Sequence, residues 1–454
     1  MSLQRCMKTL LVATLVCSLV GGCSSIIRAI RGSNRGDGYS YEFNIDGSRY
    51  NGSQVDLSRV VAAVPVYELA DTTTYPKDRS QIAFIYKDGT YEIQDNSYMF
   101  GKQIAWTAEG IFYSDRKYDY FIDAHSHRIK ATKHDKTEFE YTTYMLDDSH
   151  ALTMYNKGIG TKNNSVLSVS SRDGEYKDFT YTLRNESIHG ENVAVCENGN
   201  SYDVGTNDEI LDRPANVMYQ LSEKNKPVYK KVHDIKTVSA QDFSNAQDVL
   251  EYTDNKPAIG VKGSGKPLTA CKNNWMYSMV IIGKNLTSYD SNEKGFILGI
   301  LKWNVISGEY AITVLRDQHG QLLYSPHGSQ WNGTMYASGS LNENSFIIAS
   351  YDSGAIFDVD LTTGKTTEIV PPLVPEDKLP VGNVFLDCDA ERIYQIWLPI
   401  NAGLGEHSHI NVYSRKTYKL ISSLKIDDKF TNHIQTDTVQ PGVPALNPRL
   451  LEKR

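Results

Sequence analysis

The chain has 454 residues, 40% of them hydrophobic and 22% charged, which excludes a disordered or collagen-like polypeptide. Its net charge is −7, without the basic surplus of a nucleic-acid binder, so no nucleic-acid partner is expected. Tyrosine, at 29 residues, outnumbers phenylalanine at 13, and tyrosine suits half-buried strand surfaces.

Arg5 and Lys8 precede a largely apolar run from Thr9 to Val20. That run is too short for a mature membrane span and has the form of a signal-peptide core. It ends in Leu19-Val20-Gly21-Gly22-Cys23. An aliphatic residue, small residues and then cysteine resemble a bacterial lipobox, although Gly21 stands where Ala or Ser is commoner. The resemblance implies lipid transfer to the Cys23 sulfur and cleavage before it. Residues 1–22 are then a signal peptide, and 23–57 a lipidated tether. The expected place is the cell membrane, lipid-anchored and extracytoplasmic. Arg28, Arg31 and Arg35 lie close enough to Cys23 to meet anionic headgroups or simply to solvate the tether.

From residue 58 to 440 the chain repeats one form, an alternating apolar strand, a tight polar turn and a second alternating strand. The turns centre on Asp88-Gly89, Ser126, Asp173-Gly174, Asn225, Ser307-Gly308, Thr363-Gly364 and Arg415. A spacing near 50 residues with paired strands predicts an all-β fold, a β-propeller of four-stranded blades. Seven turns predict seven blades. The longer gap between Asn225 and Ser307 leaves room for another, so six and eight are the alternatives. A pair of β-sandwich domains is the rival architecture. Phe430 to Val439 is expected to close the ring by joining the blade of Ile82–Gln94, with 441–454 as a tail. The stretch 238–274, rich in Gly, Ser, Lys and Asn, reads as a mobile insertion.

Asp358-Val359-Asp360-Leu361-Thr362-Thr363-Gly364-Lys365, a strand running into a TTGK turn, resembles the quinoprotein-like and YVTN-like propellers. The resemblance concerns architecture alone and brings no catalytic residue with it.

Several chemical motifs fail on inspection. Gly260 to Lys266 fits GxxxxGK, but Pro267 stands where a P-loop needs Ser or Thr for Mg²⁺. Asp290, Asn292 and Gly295 echo a calcium loop, but Leu301 replaces its closing Glu. HExxH and GxSxG are absent. Beyond Cys23, the exported chain keeps Cys196, Cys271 and Cys388, an odd number that permits at most one internal disulfide; buried free thiols are the expectation.

His125 and His127 fall in a hairpin turn. Glu406, His407 and His409 fall in a long insertion, Ile400 to His409, between two strands of one blade, a loop that in propeller geometry reaches the usual ligand face. His319, His327 and Trp331 lie in the connection entering the preceding blade and are candidates for the same face. Imidazoles with a carboxylate are capable of metal binding, and an indole of stacking on a ring, but the pattern names no metal or cofactor. Tyr113, Tyr118, Tyr120, Tyr141 and Tyr144 read as packing between blades. The leading functional expectation is a non-catalytic binding or scaffold module for an envelope or protein partner. A lactonase, lyase or glycosidase acting at the channel mouth, and a small-ligand sensor or carrier, are the alternatives.

Overall fold

The structure is a computed structural model that describes residues 55–68, 80–96, 104–115, 118–134, 139–156, 164–182, 186–187, 192–207, 215–244, 247–261, 270–284, 286, 295–325, 334–335, 338–350, 353–374, 382–399, 407–435 and 439–448. All lie in the compact unit Gly47–Arg454. The signal peptide and Cys23 fall outside them. No described helix is long and apolar enough to cross a membrane.

Seven sheets, antiparallel but for one added strand, follow one another along the chain, the architecture of a seven-bladed β-propeller. Blade 2 is built from Ala105–Trp106, Gly110–Ser114, Tyr118–Asp123 and Ile129–Lys133, paired in chain order. Blade 7 repeats this with Gly382–Cys388, Arg392–Pro399, His409–Ser414 and Leu420–Lys425. Burial falls from the inner strands outward. Arg392–Pro399 is buried along its whole length, whereas Leu420–Lys425 is mostly exposed. Inner strands therefore lack polar alternation, because both of their faces pack on neighbouring blades. The hydrophobic clusters show the same thing: Phe84 and Ile82 of blade 1 pack with Ile111 and Tyr113 of blade 2. Leu167 of blade 3 packs in one cluster with Val217 of blade 4.

All seven predicted turns are real, and each joins the two outer strands of a blade. The long gap hides no eighth blade. It holds additions to blade 5. Phe243–Ser244 pairs in parallel with the outer strand Tyr310–Val314, a helix follows at Gln247–Tyr252, and Ala258–Val261 supplies part of the inner strand. The insertion expected to be mobile is thus substantially strand and helix, docked by Arg316, whose guanidinium donates to Asp248 Oδ2 at 2.6 Å and Oδ1 at 2.9 Å. Residues 262–269, including most of the GxxxxGK stretch, lie outside the described residues.

Ring closure also differs in detail from expectation. Asp428–Ile434 is a helix, capped by Asp427, whose carboxylate accepts from Lys429 N. The closing strands come later, at Val439–Pro441 and Ala445–Leu446, and both pair with Val60–Glu68 of blade 1. The fold extends beyond 58–440 at each end, since Val55 and Leu57 join the core and Asn447 is buried.

The turn glycines serve as joints between blades. Gly364 has φ +74, the left-handed region that favours glycine, and an added Cβ would run into the Val314 carbonyl oxygen of blade 5. Arg316 N donates to Gly364 O at 2.8 Å across the same joint. Gly89 meets the Lys425 carbonyl of blade 7 in the same way. Gly364→Ala is therefore expected to cost about 2–4 kcal/mol, from a strained backbone and a collision with main chain. Urea unfolding measures this; a loss below about 1 kcal/mol would mean that the joint relaxes.

The cysteines correct the expectation of free thiols. Cys196 and Cys271 form a disulfide joining blade 4 to blade 5, and Cys388 remains a buried thiol.

Candidate functional site

The described part of the predicted ligand face centres on blade 7, where the connection from Arg392–Pro399 re-enters the sheet beside helix Asp428–Ile434. Strand Leu420–Lys425 leads straight into this helix, so Lys425, Asp428 and the incoming His407 share one corner. His407 Nδ1 lies 2.8 Å from Asp428 Oδ1, and Lys425 Nζ lies 3.0 Å from the same oxygen. Lys425 first, then His407, hold the Asp428 carboxyl below its ordinary range. His409 Nδ1 contacts the His407 carbonyl at 2.9 Å. Beneath them, Ser408 N donates to Thr431 Oγ1 at 3.0 Å and Ile426 N donates to Ser408 O at 2.8 Å. Burial pushes the His433 imidazole down to about 4, so it is neutral at physiological pH.

His319 sits in an exposed turn, its backbone N donating to Asp317 Oδ1 at 2.8 Å. His327, Trp331 and Glu406 lie outside the described residues. The structure thus places His407 and His409 side by side and adds Asp428 and Lys425, while His319 lies in the turn between Tyr310–Val314 and Tyr324–Ser325 of blade 5. Among the described residues no group of three or more His, Cys, Asp or Glu side chains is arranged to hold a metal ion. The corner is half exposed, where ion pairs are screened and contribute little.

One enclosed polar cluster escaped the sequence reading. Ser114 Oγ donates to Asp119 Oδ1 at 2.7 Å, and Tyr155 OH donates to Ser114 Oγ at 2.8 Å and also to Asp119 Oδ1. His134 Nε2 lies 2.9 Å from the Asp115 carbonyl and 3.8 Å from Asp119 Oδ1. Tyr120 OH donates to Asp115 Oδ2 at 2.9 Å, and burial raises its phenol. Residues from separate strands of blades 2 and 3 meet here, so no sequence motif signals them. The mutual hydrogen bonds make the cluster a brace between blades. Tyr113 stacks on Tyr120 within blade 2 at 4.6 Å; Tyr113 and Tyr144 are buried in clusters that span neighbouring blades, Tyr118 is partly exposed, and the Tyr141 side chain lies outside the described residues. Exposed His125 and the turn around His127 pair with Glu109 and Asp56 instead of forming a site.

No family model matches the chain, and no curated protein matches it. Solved structures do. The cobalt-substituted ACO of Synechocystis is similar at 9% identity over 83% of this chain and 91% of that one, with a TM-score of 0.41. Apo AztD from Citrobacter koseri is similar at 8% identity over 85% and 98%, with a TM-score of 0.38. The RRP9 WD40 repeats are similar at 8% identity over 72% and 80%, with a TM-score of 0.40. It is the seven successive sheets and the strand order within each that make this chain a β-propeller.

Proposed function

We propose that this protein is exported, anchored by lipid on Cys23, and uses its propeller to bind an envelope or protein partner without catalysing a reaction. The observation that carries the exported location is the Cys196–Cys271 disulfide, because structural disulfides persist in oxidising compartments. The lipobox-like run ending at Cys23 supports the anchor. The binding role draws on a propeller ring in which the corner at His407 is exposed, while the enclosed cluster around Asp119 is held by its own hydrogen bonds.

Growth with alkyne-palmitate tests the anchor. The wild-type protein is expected to take the label and enter the detergent phase on Triton X-114 partition. Cys23→Ala should lose both properties, and a labelled Cys23→Ala protein would overturn the assignment. Affinity capture from envelope extract, followed by mass spectrometry, tests the binding role. Recovery of one reproducible partner supports it, and substrate turnover by the purified protein would replace it with the enzyme reading.

A further inference from the structure

Every blade of a propeller ends in an outer strand whose far edge offers unpaired N–H and C=O groups to any passing strand. Soluble proteins protect such edges with charge or with a covering segment, and six of the seven blades here do so. Blade 1 carries Glu92 and Asp95 in its outer strand, and blade 2 carries Lys130 and Lys133. Blade 3 carries Lys177 and Asp178, blade 4 Lys226, Lys230 and Lys231, and blade 6 Glu368. Blade 5 has the uncharged outer strand Tyr310–Val314, and there the chain covers the edge itself, with Phe243 and Ser244 paired to Ile312 and Thr313.

Blade 7 is the least protected: its outer strand holds a single charge, at its last residue, and no described segment covers the edge. Its outer strand Leu420–Lys425 reads LISSLK, with no charge before the last residue. Leu420 is 55% and Ile421 57% exposed, among the largest exposures of apolar side chains in the described residues. Within the described residues, only the neighbouring strand His409–Ser414 pairs with it. We infer that this edge is a strand-addition site for an extended segment of a partner protein, aliphatic at alternating positions and acidic at its flanks. Blade 5 shows that an outer edge of this propeller accepts an added strand. Charge selects the partner: exposed Lys416 and Lys419 adjoin the start of the strand, and Lys425, paired to Asp428, closes it. The same charges disfavour a second copy of this chain. Antiparallel self-pairing about Ser422 matches Leu420 with Leu424 but sets Lys419 against Lys425, and like charges directly opposite destabilise a ladder. Backbone bonds would supply the affinity, and the aliphatic and acidic side chains the selectivity.

This inference deepens the binding-module reading by naming a surface and a class of partner, and its test is independent of the lipid. The probe is a fluorescent ten-residue peptide of alternating valine and threonine with two glutamates at each end, titrated by anisotropy into the full-length protein in mild detergent. Saturable binding is expected. It should weaken at least tenfold for a lysine-flanked twin, for a twin N-methylated at alternate residues, and for the Leu420→Lys/Ile421→Lys variant. Lys419→Glu should weaken it at least threefold. Both aliphatic positions are exposed, so the variant should melt like the wild type, and the N-methylated twin tests backbone pairing without altering the protein. Absence of binding up to about 1 mM, or equal binding of the methylated twin, would overturn the inference while leaving the palmitate result standing. A dimer dispersed by the double variant in sedimentation would overturn it too, by assigning the edge to a second copy.

Discussion

A chain ending after residue 438 is expected to lose cooperative folding. The missing piece supplies the strands that pair with Val60–Glu68, joining Glu68 to Val439, Val66 to Pro441 and Ala62 to Leu446. It also buries Val443, Leu446 and Asn447. Two buried aliphatic side chains contribute about 3–6 kcal/mol. The Asn447 amide donates to the carbonyls of Leu57 at 3.0 Å and Val60 at 2.9 Å, contributing roughly 1 kcal/mol per bond. Together these approach the whole stability of a typical domain, about 5–15 kcal/mol. The segment also ties residues some 390 positions apart into blade 1, beside the contact of Asp427 N with Gly89 O at 2.9 Å. Circular dichroism melting of the shortened chain should show a broad, early transition. The finer variant Asn447→Ala should fold and lose about 2 kcal/mol, since it leaves two buried carbonyls without their donor. A truncated chain that melts sharply near the wild-type temperature would show that closure is dispensable.

The features visible in the sequence are those that local chemistry dictates. Asp88-Gly89, Asp173-Gly174 and Thr363-Gly364 mark turns because glycine takes positive φ cheaply, and all three do so here. Counting such turns gives the blade number, since each blade has one outer hairpin. Closure is less legible because it depends on which distant segment reaches Val60–Glu68. Phe430 and Ile434 are as apolar as a closing strand requires, but Asp427 caps them into a helix whose buried face takes both. Blade 5 misleads for a similar reason. Gly, Ser and Lys make its insertion look loose, whereas Arg316 on Asp248 and Phe243 on Ile312 are tertiary contacts without a local signature. The pairing of Cys196 with Cys271 lies across a blade boundary, 75 residues apart, and an odd cysteine count could not select it. At the candidate site, His407 and His409 were legible as a polar pair. Asp428 was not, because only the closing helix brings it to His407.

Removing the Cys196–Cys271 bridge is expected to destabilise the protein by about 2–5 kcal/mol. Closing a loop of 75 residues restricts the unfolded chain by roughly 4.5 kcal/mol on the entropic account. Native contacts beside the bridge soften the loss. Asn273 N donates to Glu197 Oε2 at 3.2 Å, and Ala194, Cys196 and Met276 share one core cluster across the two blades. Their presence predicts that the native fold survives in Cys196→Ala/Cys271→Ala and that the change appears as a lower denaturation midpoint. The third thiol will not reshuffle the bridge in the native state. Burial pushes Cys388 up to about 12, so almost no thiolate forms at neutral pH, and thiolate is the species that exchanges. Iodoacetamide labelling in denaturant checks the pairing directly. Cys388 should react without reductant, and Cys196 and Cys271 only after reduction. Labelling of all three without reductant, in protein purified without added thiol, would remove the bridge, and with it the support that the bridge lends to the proposed export. A double variant as stable as the wild type would instead show that the contacts around Asn273 and Met276 hold blades 4 and 5 together unaided.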